Sequence, residues 1–331
     1  WLDELRARSP GIDVQIAAQG RALELLGQRF DVHPLCEIGY TGADAAFGGL
    51  AIIKSNLGFP KRFLENRRRA AELIARLRPG LVVADSDFYC LGPARAAGVR
   101  LATLNSSPAT WALLRRWGRP RGAWFSGNVI ERADALLQRA YPGHVICPVL
   151  RAMPELPARV LQIPPIVRPG CEPAPEGAVG DEVVVVTGGS GIGAQEIDLR
   201  AVTAPVVTYG TRLEKVPAHA EQRGFSLDLL AAMARARVLV VQGGFSSISE
   251  AVALRRPFVA APITGHAEQI LNGMLAERLG LALSGPGAGA GERVNALLAD
   301  LPRREARCRS HRVPVDGARR AAAWVEQLLE G

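Results

Sequence analysis

The chain has 331 residues, 48% of them hydrophobic, with a formal net charge of +8 and a pI near 9.8; that length suits two domains with a core each. No run of about 18 apolar residues offers a transmembrane helix, and no charged-then-apolar leader opens the chain. Nearly all the cationic charge is Arg, since only Lys54, Lys61 and Lys215 are lysines, and no zinc-finger spacing, RNP-like aromatic strand or basic dimer helix accompanies it, so nucleic acid is not an expected partner.

In chain order, residues 14–18 predict a strand, 22–28 a helix, 30–35 a strand, and 61–77 an amphipathic helix between Pro60 and Pro79. Strands follow at 81–85 and 100–105 around a helix at 89–97, then a helix at 129–139 and a strand at 144–149. Short β-branched runs alternating with helices predict a parallel sheet wrapped by helices. The stretch 163–180, IPPIVRPGCEPAPEGAVG, is rich in Pro and Gly and lacks a period, which marks an interdomain linker. A second series then begins, with strands at 182–187, 206–209, 238–242 and 257–261 and a last helix at 318–329. The boundaries expected are 1–163, a linker 164–180, a second domain 181–300 and a tail 301–331. Cys36, Cys90, Cys147, Cys171 and Cys308 are scattered without Cys-x-x-Cys spacing, so neither a disulfide framework nor a zinc site is indicated, and a reducing cytoplasm is the simplest home.

The run Val238 to Glu250, VLVVQGGFSSISE, carries the most chemistry. A strand, a glycine turn and a helix place bare N–H groups and a positive dipole end beside Gly243 and Gly244, a seat for a diphosphate. Ser246 and Ser247 add hydroxyls in the first turn, and Glu250, an acceptor-only carboxylate one turn on, suits a ribose diol. After the next strand come Pro262, Glu268, Gln269 and Asn272, a polar cluster able to meet sugar hydroxyls. The competing account is an ordinary strand-turn-helix whose Gly pair and Ser residues only cap.

This ordered set resembles the donor signature of the GT-B glycosyltransferases, in particular the UDP-sugar glycosyltransferases of secondary metabolism and the bacterial cell-wall lipid-linked GlcNAc transferase. The resemblance implies an α/β fold of the GT-B kind, two Rossmann-like parallel-sheet domains facing a central cleft, with a final helix crossing back to the first domain. It implies a nucleoside-diphosphate sugar as substrate, UDP by preference, with no cofactor and no metal. Glu268 and Gln269 then contact the transferred hexose, Asn272 either joins them or caps its helix, and the nucleotide base lies near Gly224 and Phe225. Gln242 stands where the plant-type branch has a His on the diphosphate and replaces its hydrogen bond without the charge. Family members open with a strand and a Gly-x-Gly-His loop, which would precede Trp1.

The loop Thr187 to Gly193, TGGSGIG, is one residue shorter than the dehydrogenase fingerprint TGxxxGxG, and no Tyr-x-x-x-Lys follows, which argues against hydride transfer. As a Gly-rich loop at a helix start it puts Gly189, Ser190 and Gly191 beside the donor diphosphate by the same resemblance. For catalysis, Asp85 and Asp87 at the carboxyl end of a strand are base candidates, with helix capping the alternative for each. His266 could point to the donor, though a loop histidine is more often a surface residue. Residues 108–125, from Pro108 through Trp111, Trp117 and Trp124 to Phe125, mix aromatics with Arg115, Arg116, Arg119 and Arg121. Two accounts stand: a peripheral membrane contact serving a lipid-linked acceptor at the inner face of the cell membrane, and a helix lining a pocket for a small-molecule acceptor. The function implied is inverting, metal-independent hexosyl transfer; a nucleotide-sugar hydrolase or epimerase, or a noncatalytic binding protein, are the alternatives.

Overall fold

Runs of consecutive valines, their side chains alternating between two faces, build the sheet of the second half of the chain. In the computed structural model, which describes residues 1–37, 58–141, 143–175, 177–188, 191–226 and 228–330, the strands β7 (Val183–Val186), β8 (Val206–Tyr209), β10 (Val238–Val241) and β11 (Phe258–Ala260) are parallel neighbours. Val184, Val207, Leu239, Val241 and Phe258 enter one apolar core, while Val183, Val185, Val206, Val238, Val240 and Val259 enter another on the opposite face. A period of two with both faces buried gives a near-continuous apolar strand. Each such side chain taken from water contributes roughly 1.5–3 kcal/mol.

With edge strands β9 (Glu221–Arg223) and β12 (Ala282–Ser284), the order is β12-β11-β10-β7-β8-β9. The chain moves from β7 outward through β8 and β9, then returns to β10 on the other side of β7 and moves outward again. β7 and β10 therefore flank a switch in winding direction, where the loops at their carboxyl ends splay apart and leave a crevice. Helices α7 (Leu229–Arg235), α8 (Phe245–Ala253), α9 (Ala267–Arg278), α10 (Ala290–Ala299) and α11 (Leu301–Ser310) belong to this lobe.

The first lobe holds α1 (Leu2–Arg8), β1 (Ile16–Ala18), α2 (Gly20–Gly27), β2 (Val32–Pro34), α3 (Phe59–Leu77), β3 (Leu81–Asp85), α4 (Leu91–Ala96), β4 (Arg100–Leu104), α5 (Ser107–Trp117), α6 (Glu131–Ala140), β5 (His144–Pro148) and β6 (Val160–Ile163). β1 and β2 pair in parallel, as do β3-β4-β5-β6 in that order. Residues 164–182 contain neither helix nor strand among those described. The last helix, α12 (Gly317–Glu330), packs Ala321, Ala322 and Val325 against Leu5, Ile146 and Ile163 of the first lobe. A side chain at Gly317 would collide with the carbonyl oxygens of Pro164 and Pro165, so only glycine lets this helix start against the linker.

Two expectations change. The loop 187–193 opens no α-helix: Gly193 takes a left-handed φ of +70°, only the 3-10 turn Ala194–Glu196 follows, and Ile197 is already extended. No helix dipole therefore aims at that loop. Residues 108–125 are likewise not one helix, because α5 stops at Gly118 (φ +76°) and Pro120 follows. Strands β6, β9 and β12 were not anticipated, being short and, in β9, polar.

Candidate active site

The crevice at the switch point is built from the loops after β7 and β10. Gln242 ties them: its Oε1 accepts the Gly188 N–H at 2.6 Å and its Nε2 donates to the Ile192 carbonyl at 2.9 Å. The side chain expected at the phosphates is thus a buried strut between the two loops. Gly191 (φ +69°) closes the first loop by donating its N–H to the Gly188 carbonyl at 3.2 Å; Gly189 and Ser190 lie outside the described residues.

Gly243 holds φ +74°, and a Cβ there would meet the Gln269 carbonyl oxygen at 2.8 Å. The requirement for glycine is a close approach of α9 rather than of a ligand. Gly244, the N-cap of α8, has the opposite surroundings: a Cβ would meet nothing within 4 Å, and no side chain caps the helix. The N–H groups of Phe245, Ser246 and Ser247 therefore open the helix beside free space, with Ser246 exposed and Ser247 half-buried. Glu250, one turn along, is 8% exposed, and its carboxylate accepts Arg168 Nε at 2.6 Å and Nη2 at 2.8 Å. Phe225, 57% exposed, follows β9 on the same edge of the sheet.

On α9, Gln269 Oε1 accepts the Ile263 N–H at 3.1 Å, and Asn272 Nδ2 donates to the Gly243 carbonyl at 3.3 Å. Asn272 is 5% exposed, so it works as an internal brace. Glu268 in turn accepts Ser106 Oγ from the first lobe at 3.2 Å. The start of α9 is capped from the first lobe as well: Ser126 Oγ accepts the Ala267 N–H at 3.1 Å, and the Glu131 carboxylate lies close to Glu268. Leu271 sits in one apolar cluster with Ala109, Leu113 and Leu114 of α5. The lobes thus meet at the helix that carries the sugar-contact candidates.

This clasp is crowded with acid. Burial, then the neighbouring Glu268 and Asp134 carboxylates, pushes Glu131 up to about 8, and burial raises Glu268. His266, the half-buried N-cap of α9 rather than a surface residue, is pushed down to about 4 by burial and is neutral at physiological pH. Glu131, His266 and Glu268 have ligand atoms within 4.8 Å of one another, a spacing that could hold a cation. Both carboxylates already take part in the lobe-lobe clasp, which accounts for the cluster by capping.

β3 and β4 are parallel with Asp85 opposite Leu104, so Asp85, Asp87 and Ser106 follow strands at one edge of the first lobe's sheet. Asp85 keeps solvent access, yet partial desolvation raises its pKa. Burial, helped by the neighbouring Asp85 charge, pushes Asp87 up to about 6 against the pull of the Phe88 N–H and the Tyr89 hydroxyl. Its carboxylate accepts the N–H of the next residue, Phe88, at 2.9 Å and does not cap α4, whose N-cap is Cys90; its pKa suits a proton acceptor near neutrality. Around 108–125, Leu113 and Leu114 are buried, Trp111 and Trp117 half-buried with the Arg278 guanidinium 4.2 Å over the Trp117 ring, and Trp124 is 63% exposed. Arg168, Ser106 and Glu131 were not singled out from the sequence. The first lies in the linker and the others across the cleft, with no motif spacing to announce them.

Two parallel-sheet lobes meeting at a switch-point crevice, with a helix N-terminus, an acid and a second polar helix around it, define a GT-B glycosyltransferase. The comparisons agree: the family model for glycosyl transferase family 1 matches residues 2–302, and the chain belongs to that family. An uncharacterized glycosyltransferase of Methanopyrus kandleri is 24% identical over 307 residues, 84% of this chain and 85% of that one. Among solved structures, LpCGTa in complex with UDP superposes with a TM-score of 0.64 at 15% identity, covering 99% of this chain and 94% of that one. MurG of Acinetobacter baumannii gives 0.57 at 14% identity, covering 98% and 94%. The protein is a glycosyltransferase enzyme.

Proposed function

We propose that the enzyme transfers a hexose from a nucleoside-diphosphate sugar, UDP being the nucleotide favoured, to an acceptor hydroxyl with inversion, and that it needs neither a metal nor a resident cofactor. One observation carries this: the uncapped start of α8 opens at Gly244 onto free space, with a buried carboxylate, Glu250, one turn further along the same helix. N–H groups of Phe245, Ser246 and Ser247, with the two hydroxyls, hold the diphosphate and stabilise the negative charge that grows on it as the glycosidic bond breaks. Such fixed dipoles do the work a cation would otherwise do. Glu250 takes the ribose diol, Phe225 offers an aromatic face beside the base, and Glu268 with Gln269 meets the hexose hydroxyls. The UDP in the LpCGTa structure, whose fold this chain shares, supports the choice of nucleotide.

The acceptor enters from the first lobe, where Asp87, with Asp85 beside it, takes the hydroxyl proton as the oxygen attacks the anomeric carbon. Exposed Trp124, with Arg115, Arg116, Arg119 and Arg121 also exposed, favours an amphipathic, lipid-linked acceptor met at the cytoplasmic face of a membrane. No described helix is long and apolar enough to cross one. Calorimetry with UDP, GDP, thymidine diphosphate and their sugars tests the donor: the tightest binding is expected for UDP-hexoses, and no binding of any nucleotide would end the proposal. Sedimentation with anionic liposomes at low salt tests the acceptor side, where absence of binding removes the membrane.

A further inference from the structure

We propose that Arg168, in the linker between the lobes, is a positioning residue that makes Glu250 a reader of the ribose diol. The inference rests on the ribose role proposed for Glu250 and assigns a part to a residue outside the donor lobe's signature. Its guanidinium engages the carboxylate through Nε and Nη2, one donor to each oxygen, at 2.6 and 2.8 Å. The same segment grips the main chain too: Cys171, 4% exposed, donates its thiol to the Glu250 carbonyl at 3.7 Å, and Val167 packs on the donor-lobe core. Side chain and backbone of Glu250 are thus both held by residues 167–171.

The geometry has a chemical consequence. A free carboxylate turns easily about its last torsion, whose wells are broad. A side-on fork fixes the carboxylate plane and leaves each oxygen further acceptor capacity, so two acceptor positions stand side by side as two vicinal hydroxyls require. The guanidinium also places a counter-charge against a carboxylate whose side chain is only 11% exposed. Arg168 itself is about half exposed, so its replacement opens no core cavity.

Calorimetry with UDP and with the analogue lacking both ribose hydroxyls reads this directly. For the native chain the ratio of the two affinities is expected to be on the order of tenfold or more, since charged hydrogen bonds are lost with the hydroxyls. Arg168→Ala should bring that ratio close to one by weakening UDP while leaving the analogue unchanged, and Arg168→Lys, which keeps the charge but not the fork, should fall between. If Arg168→Ala keeps the native ratio, whatever happens to its melting temperature, the ion pair is only a clasp for the linker and the proposal fails. A native ratio of one is a different failure, since it removes the ribose role of Glu250 itself. Should the alanine variant not fold, the lysine variant decides, because a full native ratio there equally overturns the role of the fork.

Discussion

After β7 and after β10 the chain leaves neighbouring strands through glycine-rich turns, Thr187-Gly188 in one case and Gln242-Gly243-Gly244 in the other, and the two turns do different work. The first runs through a left-handed Gly193 into a single 3-10 turn and is held by the Gln242 side chain. The second runs directly into α8, nine residues whose first turn is uncapped and faces open space. Only the second brings a helix dipole to the crevice. A glycine-rich loop after a strand is therefore a weak sign of an anion site until the element behind it is known.

Within the second turn the two glycines should separate cleanly. Gly243→Ala forces a left-handed residue and a Cβ 2.8 Å from the Gln269 carbonyl oxygen, and is expected to cost about 3 kcal/mol of stability in denaturant unfolding. Gly244→Ala adopts the native φ of −62° without a clash and should fold normally, yet bind UDP more weakly. Equal stability of the two variants would erase the distinction drawn here. Glu250→Ala comes next, with a loss of about 2 kcal/mol in UDP affinity, roughly thirtyfold in Kd; unchanged affinity would take the ribose away from α8. Gln242→Ala removes both bonds of the strut and should cost about 1.5 kcal/mol of stability. A variant of native stability that binds nucleotide poorly would put Gln242 on the phosphates instead.

Much of the donor lobe was legible because its evidence is local. Val183 to Val186 and Val238 to Val241 are apolar throughout, as strands buried on both faces must be, and Gly243, Gly244 and Glu250 lie within eight positions of one another. The order of β7 and β10 in the sheet, which creates the crevice, is not written in either strand. Gln242, Gln269 and Asn272 stand out in the sequence as donor contacts, but the partners they have are backbone groups of other segments, which no spacing reveals. The clasp between the lobes was the least legible part. Ser106, Ser126 and Glu131 are unremarkable in sequence and acquire a role only when α9 is brought against them.

That clasp gives the smallest and most diagnostic effect. Glu131 has a folded pKa of about 8 against an ordinary value of 4.5, so between those limits the folded state keeps a proton that the unfolded chain has released. Its contribution to stability is therefore present below about pH 4.5 and is lost as pH rises toward 8. His266, lowered to about 4 when folded against 6.5 when unfolded, adds a slope of the opposite sign that fades above pH 6.5 and is the same whatever stands at position 131. Asp134 and Glu268, both raised by burial, add to the slope with the same sign as Glu131. Glu131→Gln keeps the shape of the side chain but carries no charge at any pH. Its melting temperature should fall less than that of the native chain between pH 6.5 and 8, with a difference on the order of 1 kcal/mol at the upper end. Parallel melting curves across that window would mean that Glu131 is ionised in the folded protein, and that the clasp at α9 tolerates its charge.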